Sequence, residues 1–256
     1  MSTAPVARSS APSVTVWRWV AAVLAVSQLA APAVSRALAG DFLSSGATNQ
    51  ALVTPAGYAF SLWGLITLLS AVTAVCVVRY GLGSSWETDV LVDAGVVFVG
   101  FSVWLVVAAQ DWLWVSVGVF VVMAGALLHI MWLLVRRAAE LTCPRWLRVL
   151  ATVSFGLYLG WSSIAVFANV AAALIYTGWS ASSVMWQFVV LAAAAVAALS
   201  VTVVLRGTIG YVAGVLWALI AIALGAAQRD SAALSVTAAV AAVLVAGAAV
   251  VAQVRN

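Results

Sequence analysis

The segment GLYLGWSSIAVFAN, residues 156–169, decides how the rest of the chain is read. It is apolar enough for a bilayer, yet it carries Tyr158, Trp161, Ser162, Ser163 and Asn169. Tyr158, Trp161, Ala165 and Asn169 are spaced by three, four and four residues, which places them on one helical stripe. An indole, a phenol and a carboxamide on one stripe must face protein or a cavity rather than lipid. Gly156 and Gly160 form a small-xxx-small pair, which admits a neighbouring helix at close range.

Composition gives that segment its setting. The chain of 256 residues is 66% hydrophobic and 7% charged, with a mean hydropathy of +1.18. Continuous runs of eighteen or more apolar residues recur along its length, which predicts an all-α polytopic membrane protein. The runs do not alternate, as the strands of a membrane β-barrel would. All basic residues are Arg, and the net charge of +4 reads as a topology signal rather than a nucleic-acid surface. Cys76 and Cys143 lack metal-ligand spacing and are expected as free thiols near the inner side.

Outward from the central stripe, the pattern predicts eight transmembrane helices. The first follows the interfacial Trp17, Arg18 and Trp19 and runs to about 38; the others run over approximately 57–78, 90–109, 112–135, 147–172, 184–205, 208–228 and 232–253. Residues 1–14 read as a disordered cytoplasmic tail and 39–56 as the longest polar loop. An alternative at the N-terminus is a signal peptide cleaved after Ala37-Leu38-Ala39, against which stands Arg36 just before that site. With the N-terminus inside, Arg8, Arg18, Arg79, Arg136, Arg137, Arg145, Arg148, Arg206 and Arg255 all fall inside, and only Arg36 and Arg229 outside. Removing one span inverts everything after it, so the split supports eight spans with both termini cytoplasmic. Lysine-free, alanine-rich usage suggests the plasma membrane of a GC-rich bacterium.

The tryptophans divide by depth. Trp17, Trp19, Trp86, Trp112, Trp114, Trp146, Trp179 and Trp186 lie at helix ends, as an interfacial belt does. Trp63, Trp104, Trp161 and Trp217 lie within spans. If helices 2, 3 and 5 are neighbours, Trp63, Trp104, Trp161 and Asn169 line one cavity open to the outer side. The alternative is that they are large packing residues only.

Three motifs in order resemble the tryptophan-rich sensory protein family (TspO/MBR, translocator protein-like). They are the Tyr158-x-x-Trp161-x-x-x-Ala165-x-x-x-Asn169 stripe, TPAGYAFSLWG over residues 54–64, and Trp104 on helix 3. The resemblance implies a five-helix core over 15–172, followed by a three-helix extension over 173–256 as in longer members. Four departures imply a differently shaped pocket: Ala56 follows Pro55, Phe60 stands one residue closer to Trp63, Leu157 replaces a proline, and Phe101 replaces an asparagine. The implied function is a membrane receptor or carrier for hydrophobic molecules, chiefly porphyrins, with sterol-like molecules second. The implied site is Pro55, Tyr58, Phe60, Trp63, Trp104, Tyr158, Trp161 and Asn169. The rings supply stacking faces and Asn169 a polar edge, which suits a planar tetrapyrrole. No cofactor is required; a porphyrin or haem is the expected ligand.

The remaining polar residues have competing readings. His129, the only histidine, is a remote candidate for ligating haem iron, against a hydrogen bond satisfied within the bundle. Asp93 is either a proton-relay acid or, preferred, an acid at the N-terminus of helix 3 in the headgroup region. Gly210 and Gly214 form a second small-xxx-small pair, for packing helix 7 or, second, for a homodimer contact. The alanines of helices 6 and 8 read as composition alone. No metal cluster, catalytic triad or phosphate loop supports an enzyme. Tryptophan-dependent photodegradation of porphyrin is implied by the resemblance only. Two other functions compete: a secondary transporter, which calls for a repeat not evident here, and a membrane assembly factor. The expected partners are the bilayer and a hydrophobic small molecule, with no nucleic acid.

Overall fold

In the computed structural model, residues 13–39 and 50–255 are described, the side chains of 35–39 excepted. Residues 1–12 of the expected tail over 1–14, Arg8 among them, the polar residues 41–49 and the side chain of Arg36 therefore lie outside the described part. Within it stand eight α-helices: α1 Val14–Ala39, α2 Leu62–Tyr80, α3 Glu87–Ala109, α4 Leu113–Arg136, α5 Arg145–Tyr176, α6 Val184–Val204, α7 Ile209–Gln228 and α8 Ala232–Val254. All eight are long and apolar enough to cross a membrane. The chain is thus a multi-pass helical membrane protein, as its hydropathy predicts.

Two boundaries shift in ways that matter. The expected helix 2 begins as a 3₁₀ turn, Gly57–Ser61, because its first residues bond to another helix, as shown below. Helix 3 begins at Glu87 rather than Val90, so its first-turn acids are Glu87 and Asp89. Asp93 lies a turn further in, and the preferred reading of it as a terminal acid is corrected. Asp111, Arg206 and Asp230 take left-handed backbone (φ 56°, 56° and 59°) in the tight turns that reverse the chain.

On α6 and α8 alanines face inward and most valines outward. On α8, Ala238, Ala241, Ala242, Val245 and Ala249 are buried, while Val236, Val240, Val243 and Val250 are exposed. Ala194 and Ala198 of α6 are buried likewise, and α6 packs on α8. Lipid tails are as apolar as the core, so what drives association is close backbone approach, which alanine permits. The alanine runs are therefore packing seams, not mere composition.

The closest approach is between α5 and α7. A Cβ on Gly156 would stand 2.8 Å from the Tyr211 nitrogen, and one on Gly214 would stand 2.6 Å from the Leu157 carbonyl oxygen. Gly160 abuts the Tyr211 carbonyl oxygen. The two glycine pairs noted in the sequence are thus each other's partners, and the Gly210–Gly214 face is occupied within the chain. Around this seam α4 and α2 pack on α5, α3 on α4, and α1 on α2 and α3.

The end of the bundle at which α1 begins is tied by ion pairs. Arg18 Nε donates to Glu87 Oε1 at 2.6 Å, and the nitrogen of Gly83 donates to Glu87 Oε2 at 3.0 Å. Trp86, expected in the lipid belt, is buried instead and donates to Glu140 Oε2 at 3.0 Å. The hydrogen bonds from Arg137 first, and from Trp86 after it, lower the pKa of the Glu140 carboxyl from its ordinary value. A depressed carboxyl favours the fold above its unfolded titration range and loses that contribution as pH falls. Here the pair is exposed, so its effect on stability is small. Removing Arg18 matters more, because Glu87 is left as a buried, poorly compensated charge. We expect Arg18→Ala to destabilise the protein by about 3–5 kcal/mol, read as a lowered thermal midpoint in detergent. Glu87→Gln should recover part of the loss in the double variant.

Candidate functional site

The site forms where α2, α3, α4 and α5 meet. Trp63 is at its centre, near the start of α2, with ring centroids 4.8 Å from Phe101, 5.4 Å from Trp104 and 5.6 Å from Tyr158. Trp161 lies 6.1 Å from it and Phe120 6.4 Å. Phe60, on the 3₁₀ turn, meets Trp161 edge-on at 5.8 Å. Helices 2, 3 and 5 are joined here as the sequence suggested, but the rings fill the space against one another. Trp63, Trp104 and Trp161 are only 6%, 5% and 3% exposed, so the site is closed rather than an open cleft.

Three features set the polarity of this cluster. The indole N–H groups of Trp63, Trp104 and Trp161 are buried, and none has an acceptor among the described residues. An indole nitrogen is a donor only, and each buried donor left unpaired costs about 1–3 kcal/mol. Tyr158 is fully buried and donates to Gln28 Oε1 of α1 at 3.1 Å, which satisfies its hydroxyl. No charged side chain takes part in the ring contacts.

The expected residues do not all come together. Phe60, Trp63, Trp104, Tyr158 and Trp161 come together. Asn169 lies eight residues beyond Trp161 on α5, ~12 Å along the axis. Its carboxamide is engaged, accepting from Ser116 Oγ at 3.0 Å and donating to the Ala165 carbonyl at 2.8 Å. Tyr58 is exposed and packs edge-on against Trp217 of α7 at 5.5 Å, outside the cluster. Pro55 is buried in the segment leading to α2. His129, on α4, lies nine residues from Phe120, ~13 Å along the axis. It is bonded to Asp93 at 2.6 Å, the within-bundle alternative.

The segment Gln50–Ser61 reaches the cluster through Phe60 and is held by α6, α7 and the turn after α7. The nitrogen of Ala56 donates to the Ala221 carbonyl of α7 at 2.9 Å. That approach requires Gly225, where a Cβ would stand 3.0 Å from the Ala56 nitrogen. Val53 donates to the buried Gln187 of α6 at 3.3 Å, and Trp217 Nε1 donates to the Ala59 carbonyl at 3.1 Å. Arg229 clamps both ends of the stretch before the turn, donating to the Thr54 carbonyl at 2.9 Å and to Gln50 Oε1 at 2.8 Å. Partial burial lowers the Arg229 pKa, though a guanidinium remains charged.

Phe101, Phe120, Gln28, Trp217, Gln187 and Arg229 were not foreseen in these roles. The sequence marks Phe101 only as a departure from a motif, and Arg229 only as one of two arginines on the outer side. We expect Arg229→Ala to release the segment. Hydrogen exchange of the amides over 50–57 should quicken by at least about tenfold, the equivalent of one charge-assisted hydrogen bond, while α3 and α4 are unchanged. Exchange that stays at the wild-type rate would remove Arg229 from the clamp.

The architecture is that of a helical membrane protein with a closed, aromatic, intramembrane site reached by the bound segment Gln50–Ser61. The model of the family described as TSPO-like protein matches residues 12–251. The chain therefore belongs to the TSPO-like protein family, and the match runs through α6, α7 and α8 as well as the helices before them. No curated protein and no solved structure matches the chain.

Proposed function

We propose that this protein is a membrane receptor that takes a planar, hydrophobic, acceptor-bearing molecule, such as a porphyrin, among Trp63, Trp104 and Trp161. One observation carries the reading: three buried indole donors without acceptors meet in one aromatic cluster. A ligand with ring nitrogens or carbonyl oxygens supplies acceptors there, while its faces stack on the indoles. The rings are in contact, so entry requires them to part and the segment Gln50–Ser61 to lift from α7. In this account the protein binds its ligand without transforming it. The bundle sits in a bacterial plasma membrane with both termini in the cytoplasm, which the distribution of arginines supports.

The test is equilibrium binding of protoporphyrin to the purified protein in detergent, against empty micelles. Binding should saturate at one site per chain and weaken at least about tenfold in Trp161→Ala, the loss expected when a stacking face and a donor go together. His129→Ala should bind as wild type does. Binding no better than to micelles, or equal binding by Trp161→Ala, would remove the porphyrin reading.

A further inference from the structure

Away from the aromatic cluster, α1, α3 and α4 enclose a groove of about 770 Å³ on the outer face of the bundle. Its walls are valine, glycine, leucine and methionine, with Trp17 at one end. Along α3 it extends from Val92 to Val103, ~17 Å. Glycines make the hollow: Gly118 has nothing within 4 Å of where a Cβ would stand, and at Gly95 the nearest atom is 3.6 Å away.

Beside one end of this groove, outside the residues that line it, is an ionisable pair. Asp93 stands between two groove residues of α3, Val92 and Val96. His129 continues the α4 stripe of Val115 and Val122, seven residues on from Val122. His129 Nδ1 and Asp93 Oδ2 are 2.6 Å apart, and the imidazole is half exposed. The pair is ~9–10 Å inside the helix ends at Glu87 and Arg136, so it faces lipid at a depth where polar groups are costly. Asp93 occupies Nδ1, which leaves Nε2 as the outward hydrogen-bonding atom. Nε2 accepts when the ring is neutral and donates when it is protonated.

We propose that this groove binds a neutral lipid alcohol, with the chain lying between α3 and α4 and the hydroxyl on His129 Nε2. A hydroxyl both donates and accepts, so it suits the imidazole in either protonation state. An anionic headgroup is disfavoured, because its charge would be drawn ~10 Å below the level of Arg136. Isoprenoid alcohols and straight-chain alcohols share this chemistry. The site is independent of the aromatic cluster.

The test uses a diazirine-bearing analogue of geranylgeraniol and the full-length protein in phosphatidylcholine–phosphatidylglycerol nanodiscs. Photolabelling should saturate, and peptide mapping should place it on α3 and α4. Geranylgeraniol or hexadecanol should compete, and which competes better identifies a branched or a straight chain; the matching hydrocarbons should compete at least about tenfold less well, as expected for one lost hydrogen bond. Gly118→Leu, whose Cβ meets open space and whose side chain would occupy the groove, should abolish labelling while leaving the thermal midpoint in place. His129→Leu should weaken labelling about tenfold, and Trp161→Ala should leave it unchanged. Non-saturating label would mean bulk lipid only and would overturn the proposal. So would equal competition by the hydrocarbons, or cross-links through Val99→Cys showing that a second copy covers the groove.

Discussion

Gly160→Leu is expected to abolish folding of the protein into a monodisperse species in detergent, and Gly160→Ala to lower its stability by about 1–3 kcal/mol. The reason is geometric. At Gly160 the backbone of α7 occupies the place of a side chain, with the Tyr211 carbonyl oxygen in direct contact and the Gly214 Cα 2.9 Å from the Cβ position. A flexible side chain yields to a methyl group; helix backbone yields only by moving the whole helix. Since α7 also holds the segment that reaches the aromatic cluster, separation of α5 from α7 would disturb the site as well. Gly118→Ala is the control, because its Cβ meets open space and its thermal midpoint should match wild type. Equal midpoints for Gly160→Ala and Gly118→Ala would contradict the seam.

Trp63→Ala should have the second largest effect, destabilising the protein by about 3–5 kcal/mol and removing porphyrin binding. Trp63 touches five other rings, so its loss opens a cavity that no single neighbour can close. Trp63→Phe separates packing from hydrogen bonding. It keeps a ring and gives up the unpaired donor but also loses volume, so stability should fall by about 1–3 kcal/mol, less than in Trp63→Ala. Porphyrin affinity should nonetheless fall about tenfold through the missing N–H. Thermal unfolding together with equilibrium binding on the two variants reads both quantities. Full affinity in Trp63→Phe would show that this donor does not meet the ligand.

Much of this was legible in the chain because bilayer physics leaves few options. Eight apolar runs, divided by polar turns most of which carry arginine, left the number of helices standing and their ends to be corrected. The convergence of Trp63, Trp104 and Trp161 was legible because each is an amphipathic ring well inside a span. Their neighbours were not. Phe101 and Phe120 are apolar residues among many, and nothing in a single sequence says which of them points at Trp63. Gly156–Gly160 and Gly210–Gly214 announced close contacts, but the identity of each partner depends on which helices are adjacent. Arg229 sits in a two-residue turn and reads as topology; only the fold brings Thr54 and Gln50 to it. Asp93 and His129 are 36 residues apart and join only because α3 and α4 pack.

The most direct test of the central claim is a structure of the protein crystallised from a lipidic mesophase with protoporphyrin. The account predicts the macrocycle among Trp63, Trp104 and Trp161, at least one indole N–H bonded to it, and the segment 50–61 displaced from α7. A porphyrin found elsewhere, with the five rings packed on Trp63 and Trp161 unchanged and Arg229 still on Thr54, would contradict it.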